Sequence, residues 1–168
     1  MSATSVGYRV RRRPIPPVEA NTTWFDAEPL RIGVESRHLD DEVLRRAYGN
    51  GPSDVHVDDW GISIHVCGSV SGSEYLRFDC FEDEPHYHYI HPTDDFQVWV
   101  PFDEGPNGPM LDWALDCLAN RTQEMLRCSG GSYLADFVDL TRLGETCAAV
   151  ARLARSLNNA KVRPEVAA

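Results

Sequence analysis

The chain has 168 residues, 42% of them apolar and 25% charged, and its formal net charge is −10. That length suits one domain able to bury a core without covalent staples, while the acidic balance argues against a protein that grips a nucleic-acid backbone. No run approaches the roughly 18 apolar residues needed to span a membrane, and the opening MSATSVGYRVRRRP lacks the apolar centre of a signal peptide. Five cysteines, at 67, 80, 117, 128 and 147, form no C-x-x-C pair. Their odd number argues against a disulfide framework or a zinc ribbon, so a reducing cytoplasm fits.

Residues 1–20 are rich in Arg and Pro and are expected to be extended, because PIPP cannot continue a helix. The basic run RVRRRP reads as a solvated segment; the other reading is an arm docked on an acidic patch of this chain or of another subunit. PLRIGVES (29–36) can hold a short strand. LDDEVLRRAYG (39–49) predicts a helix, with acids in its first turn, arginines in its last and Gly49 just beyond; GNGPSD then forces a turn. GISIHVC (61–67), EYLRFDCF (74–81) and HYHYIH (86–91) are rich in β-branched and aromatic residues and are joined by hairpin-sized spacers. They predict a three-stranded meander, with DFQVWVPF (95–102) as a fourth strand. Two helices follow, over 109–128 and about 140–158. The second carries the stripe Leu143, Cys147, Val150, Ala154 and Leu157, and residues 159–168 are expected to fray. The expected fold is a single α+β domain: an antiparallel β-meander of three to five strands with two C-terminal helices packed on one face.

Side chains alternate across a strand, so register decides which groups meet. Pairing the first hairpin at residue numbers that sum to 142, and the second at 168, puts even with even throughout. The even face is then apolar, with Ile62, Ile64, Val66, Leu76, Phe78 and Cys80 joined by His88 and Ile90. The odd face gathers Ser63, His65, Cys67, Tyr75, Arg77, Asp79, Phe81, Tyr87, Tyr89 and His91.

Two candidate sites follow. The H-x-H pair His86 and His88 aims two imidazoles to one side of a strand and suits a divalent metal, zinc or iron. Glu82 beside His86, or Cys80 beside His88, is the candidate third ligand; Glu82 would complete a facial set of the non-haem iron kind. On the odd face, Arg77 between His65 and His91 would attract a carboxylate or phosphate. There Asp79, Tyr89, His65 or His91 would handle protons, and Tyr75 and Tyr87 would wall a pocket for the ligand. The structural alternatives are a buried His88 hydrogen-bonded to a neighbour with His86 capping the strand end, and an Arg77–Asp79 network under a covering loop or a partner subunit. Cys67 beside His65 is a further, nucleophilic candidate. No phosphate-loop or dinucleotide glycine pattern appears. The function expected is a small cytoplasmic enzyme acting on a small polar or anionic molecule. The competing expectation is an interaction or ligand-binding protein whose Tyr/His/Arg face is a homodimer or partner interface.

Overall fold

Residues 7–49 and 56–161 are described by a computed structural model. Short β-rich runs separated by turns build seven strands: β1 Tyr8–Val10, β2 Thr22–Ala27, β3 Leu30–Asp40, β4 Asp58–Gly68, β5 Glu74–Phe81, β6 His86–His91 and β7 Phe96–Pro101. Helix α1, Asp41–Tyr48, lies between β3 and β4; α2 Glu104–Asn107, α3 Met110–Asn120, α4 Thr122–Arg127 and α5 Leu140–Ala160 follow the sheet. The sheet order is β1-β7-β6-β5-β4-β3-β2 and every neighbouring pair is antiparallel. The class is α+β as expected, with a sheet wider than the three to five strands read from the sequence. Most of the predicted turn after Gly49 lies outside the described residues.

The apolar face forms on β4 and β5 as the alternation predicts, but His88 and Ile90, expected on it, lie on the other face. Ile32, Val34, Ile62, Ile64, Val66, Leu76 and Phe78 are all but sealed under the C-terminal helices, with Leu118, Val150 and Ala154 above them. Each such side chain contributes about 1.5–3 kcal/mol by leaving water. Helix α5 buries the predicted stripe through Leu143, Cys147, Val150 and Ala154, and Asp139 caps it by accepting from the Thr141 and Arg142 amides. The helix expected over 109–128 is instead two. It breaks at Arg121 (φ −129°, ψ 7°), next to Thr122, whose hydroxyl bonds the Leu118 carbonyl at 2.6 Å. Such a hydroxyl competes for the backbone and bends helices.

The opposite face is polar and is covered by the N-terminal segment. Residues 11–21 cross it from β1 at one sheet edge to β2 at the other. Buried Arg37 donates to the carbonyls of Ile15 (2.9 Å) and Pro16 (3.3 Å), and the Val18 amide donates to Glu35 at 3.3 Å. Arg13 pairs with Asp95 at 2.9 Å and also reaches the Pro92 carbonyl. Part of the basic run is thus latched to an acid of its own chain.

Register holds in the first hairpin and shifts in the second. Gly61↔Phe81 through Val66↔Leu76 pair as the sum of 142 requires. A bulge at Val66/Cys67 then sets Cys67 opposite Glu74. It turns Glu74 onto the polar face and Tyr75 into the helix-side core. The second hairpin pairs Leu76↔Tyr89, Arg77↔His88, Phe78↔Tyr87 and Asp79↔His86. Those sums are odd, so even residues of β6 share a face with odd residues of β5, correcting the expected pairing. The cause is remote in sequence: the buried Asp59 carboxylate accepts from the Asp83 (3.1 Å) and Glu84 (2.9 Å) amides, while the Glu82 amide donates to the Trp60 carbonyl. These bonds fix the connection on β4 and place the turn earlier than hairpin length alone implies.

Candidate metal centre and cavity

The shifted register merges the two candidate sites. Asp79 in the middle of the sheet stands opposite His86, and His88 opposite Arg77. Asp79, His86 and His88 are all buried, and one ligand atom from each lies within 4.8 Å of the others. His86 Nε2 is 3.3 Å and His88 Nε2 3.0 Å from Asp79 Oδ2. Ligand atoms about 2.0–2.2 Å from one zinc-like ion are themselves about 3.0–3.4 Å apart, so both spacings match edges of a coordination polyhedron. The other Asp79 oxygen accepts the hydroxyl of buried Ser63.

Tautomers sharpen the point. His86 Nδ1 is 2.6 Å from the Glu84 carbonyl, which can only accept, so Nδ1 carries a hydrogen. In a neutral imidazole the Nε2 then presents a lone pair to the Asp79 carboxylate, and nothing stands between the two sets of electrons. A proton or a metal cation resolves that conflict. The ring is held by Trp99 and Phe81, with centroids at 5.1 and 5.7 Å. His88 Nδ1 is buried with no hydrogen-bond partner among the described residues, and so is Gln97 Oε1. Buried polar atoms without partners are uncommon and call for an explanation.

The cluster continues as a buried charge network. Glu35 Oε2 accepts from Arg37 Nη1 (3.1 Å) and His65 Nε2 (2.8 Å). Glu74 accepts from His65 Nδ1 (2.6 Å) and, with both oxygens, from Arg77 Nε (2.8 Å) and Nη2 (2.6 Å). With a carboxylate on each ring nitrogen, His65 is an imidazolium. Burial opposes that charge, but Glu74 and Glu35 outweigh it and raise the His65 pKa. Burial likewise opposes the Glu74 charge, yet Arg77 and His65 pull its carboxyl down to about 2. Asp79 is also held well below the usual carboxylate range: burial works against ionisation, and the His86 and His88 rings beside it, with the Arg77 charge, prevail. Burial lowers the His88 pKa, favouring a neutral, ligand-competent ring.

A cavity of about 290 Å³ opens onto this floor. The sheet supplies Arg37, Arg77, Asp79, His88, Gln97 and Trp99; the covering segment supplies Val10, Arg12, Pro14 and Ile15; Leu39, Leu44 and Tyr48 close the side at α1. Arg12 lies over the Tyr48 ring, 4.0 Å from its centroid.

The remaining sequence candidates fall elsewhere. Tyr87 packs on Phe78 and Trp113 and Tyr89 lies beside it, both on the helix side. The Tyr75 hydroxyl meets that of Tyr133 at 2.8 Å, also on that side. His91 stacks on Phe96 at 4.2 Å, away from Arg77. The row expected for His65, Arg77 and His91 is therefore His65, Arg77 and His88. Glu82 is exposed and 3.2 Å from Lys161, and Asp79 stands where it was expected, beside the histidine pair. Cys80 lies in the helix-side core, where burial pushes its thiol well up; burial pushes Cys67 up to about 12. Sequence reading did not single out Glu35, Arg37, Glu74 or Gln97. Glu35 and Arg37 carried a signal, since charge at alternate positions of a strand marks a polar face.

Fold and site together define an antiparallel α+β protein with a buried histidine–carboxylate cluster under a small cavity. The chain belongs to the family described as a domain of unknown function (DUF7700), whose model matches residues 24–154 and so includes Asp79, His86, His88 and Gln97. No curated protein and no solved structure matches the chain significantly.

Proposed function

We propose that this chain is a small metal-dependent cytoplasmic enzyme acting on a small polar or anionic molecule. Asp79, His86 and His88 would hold one divalent ion as a two-histidine, one-carboxylate facial set, a pattern that leaves coordination positions open for substrate or water. The observation that carries the reading is the trio itself: three buried donors within 4.8 Å of one another, two of which, Asp79 and His88, line a cavity. The Glu84 carbonyl on His86 and the Ser63 hydroxyl on Asp79 are the outer partners that orient such ligands. Five free thiols suit a reducing compartment. The cavity is at the lower limit of ligand pockets, about 300 Å³, which favours a small metabolite over a polymer or dinucleotide. The test is elemental analysis of purified protein and of protein stripped with chelator and reloaded with zinc, iron(II) or cobalt(II). One ion per chain is expected, lost in Asp79→Ala and His88→Ala. Failure to retain or regain any ion, or undiminished loading of the double variant, overturns the reading.

A further inference from the structure

Two residues that line the cavity each carry a buried side-chain atom with no partner among the described residues, and the two atoms differ in sense. Gln97 Oε1 is an acceptor. His88 Nδ1 depends on what its other nitrogen does. With Nε2 on a metal ion, Nδ1 must carry the ring hydrogen, and it becomes a buried unsatisfied donor of a residue that lines the same cavity. The site therefore asks for one ligand that offers both an acceptor and a donor.

Charge narrows the ligand further. Buried Glu35, Glu74 and Asp79 are matched by buried Arg37 and Arg77 and by His65 between its two carboxylates. Buried Asp59 on the same face, bonded to backbone amides, adds a fourth carboxylate, so these groups carry one net negative charge before any ion binds. A divalent ion leaves one positive charge uncompensated in a low-dielectric setting, which is costly without an anion. Arg12 at the cavity adds another, having no carboxylate partner among the described residues. An anionic acceptor is demanded at His88. An ammonium at Gln97 would add to the surplus, so its donor is a neutral hydroxyl.

Resting on the metal reading above, we propose that the cavity binds a short hydroxycarboxylate, its carboxylate accepting from His88 Nδ1–H and drawn by the ion and Arg12, its hydroxyl donating to Gln97 Oε1. The volume of about 290 Å³ sets the size at a few carbons.

The test is calorimetric and spectroscopic titration of the full chain, loaded with cobalt(II), using malate and glycolate, then succinate and acetate, which lack the hydroxyl, and ethylene glycol, which lacks the carboxylate. Malate is expected to bind at least tenfold tighter than succinate, glycolate tighter than acetate, and ethylene glycol not at all. Gln97→Leu should weaken malate about five- to tenfold, the worth of one hydrogen bond, and leave succinate within twofold. Gln97→Glu, the same shape with a negative charge, should weaken both acids. Arg12→Gln should weaken both acids equally. The cobalt spectrum of each variant shows whether its ligand set is intact. Equal binding of malate and succinate, tight binding of ethylene glycol, or an equal loss of both acids in Gln97→Leu overturns the hydroxycarboxylate assignment. If cobalt is held and no acid binds, this assignment alone falls; if cobalt is not held, the metal reading falls and this one with it.

Discussion

Asp79 is asked to do two things at once: one oxygen takes the Ser63 hydroxyl and the other faces two imidazoles. Ser63→Ala should therefore act at a distance from the ion. Loss of an outer partner lowers metal affinity about 10- to 100-fold, and a lost buried hydrogen bond costs about 1–3 kcal/mol; cobalt titration and urea unfolding read the two effects separately. His65 gives a pH signature. It is faced by Glu35 from β3, by Glu74 and Arg77 from β5 and by the Trp24 ring from β2. Its pKa is raised above the ordinary 6.5, so its stabilisation is complete below that value and is lost as pH rises through the folded-state value. Glu74, lowered from 4.5 to about 2, stabilises above 4.5 and fails as pH falls toward 2. Thermal stability should peak between these limits. His65→Gln should flatten the alkaline decline, as melts from pH 5 to 9 would show. A decline as steep in the variant would assign it to another group. At this scale Arg77 and His65 were legible, because the first hairpin has the register its spacer implies. The bond between Asp79 and the histidine pair was not.

That failure belongs to the elements. Alternation gave the faces of β4 and β5 and the buried stripe of α5, since those depend on local period alone. The position of β6 against β5 depends on Asp59, which lies on β4 and reaches across to the 82–85 connection. No local propensity encodes such a bond. Strand β2, TTWFDA, has ample β-formers and could have been recognised; β1 has three residues and is a strand only because β7 offers it an edge. Two substitutions test the elements. Asp139→Ala removes the α5 cap and should cost about 1 kcal/mol, or a melting shift of about 2–4 °C for a chain this size. A Cβ at Gly61 would lie 2.2 Å from the Cys80 carbonyl oxygen, and the next nearest atoms are also backbone, of Cys80 and Phe81. Gly61→Ala should thus destabilise by about 1–3 kcal/mol or more, read by chemical denaturation, although alanine is otherwise the better strand residue.

For the molecule as a whole, the proposed ion binding would be coupled to folding, because the three ligands come together only across β5 and β6. An ion at a hundred times its dissociation constant adds about 2.7 kcal/mol to stability. Chelator should lower the melting temperature by about 5–10 °C, and zinc or cobalt should restore it. Asp79→Ala should show no such dependence; a melting point indifferent to chelator in the parent protein would remove the coupling. No helix among the described residues is long and apolar enough to cross a membrane.

The sheet order carries one more consequence. Tyr8 pairs with Trp99, so the strand nearest the N-terminus completes the sheet only against the strand farthest along the chain. During synthesis the ribosome must deliver β7 before the segment after β1 has an anchor for its passage across the polar face. Contacts so distant in sequence form slowly and late. Until then Arg37, Arg77 and the histidine pair are open to water, so the nascent chain is a different solvent environment from the finished one. An ion taken up before that closing step would meet no roof at all; one taken up afterwards must enter beneath it.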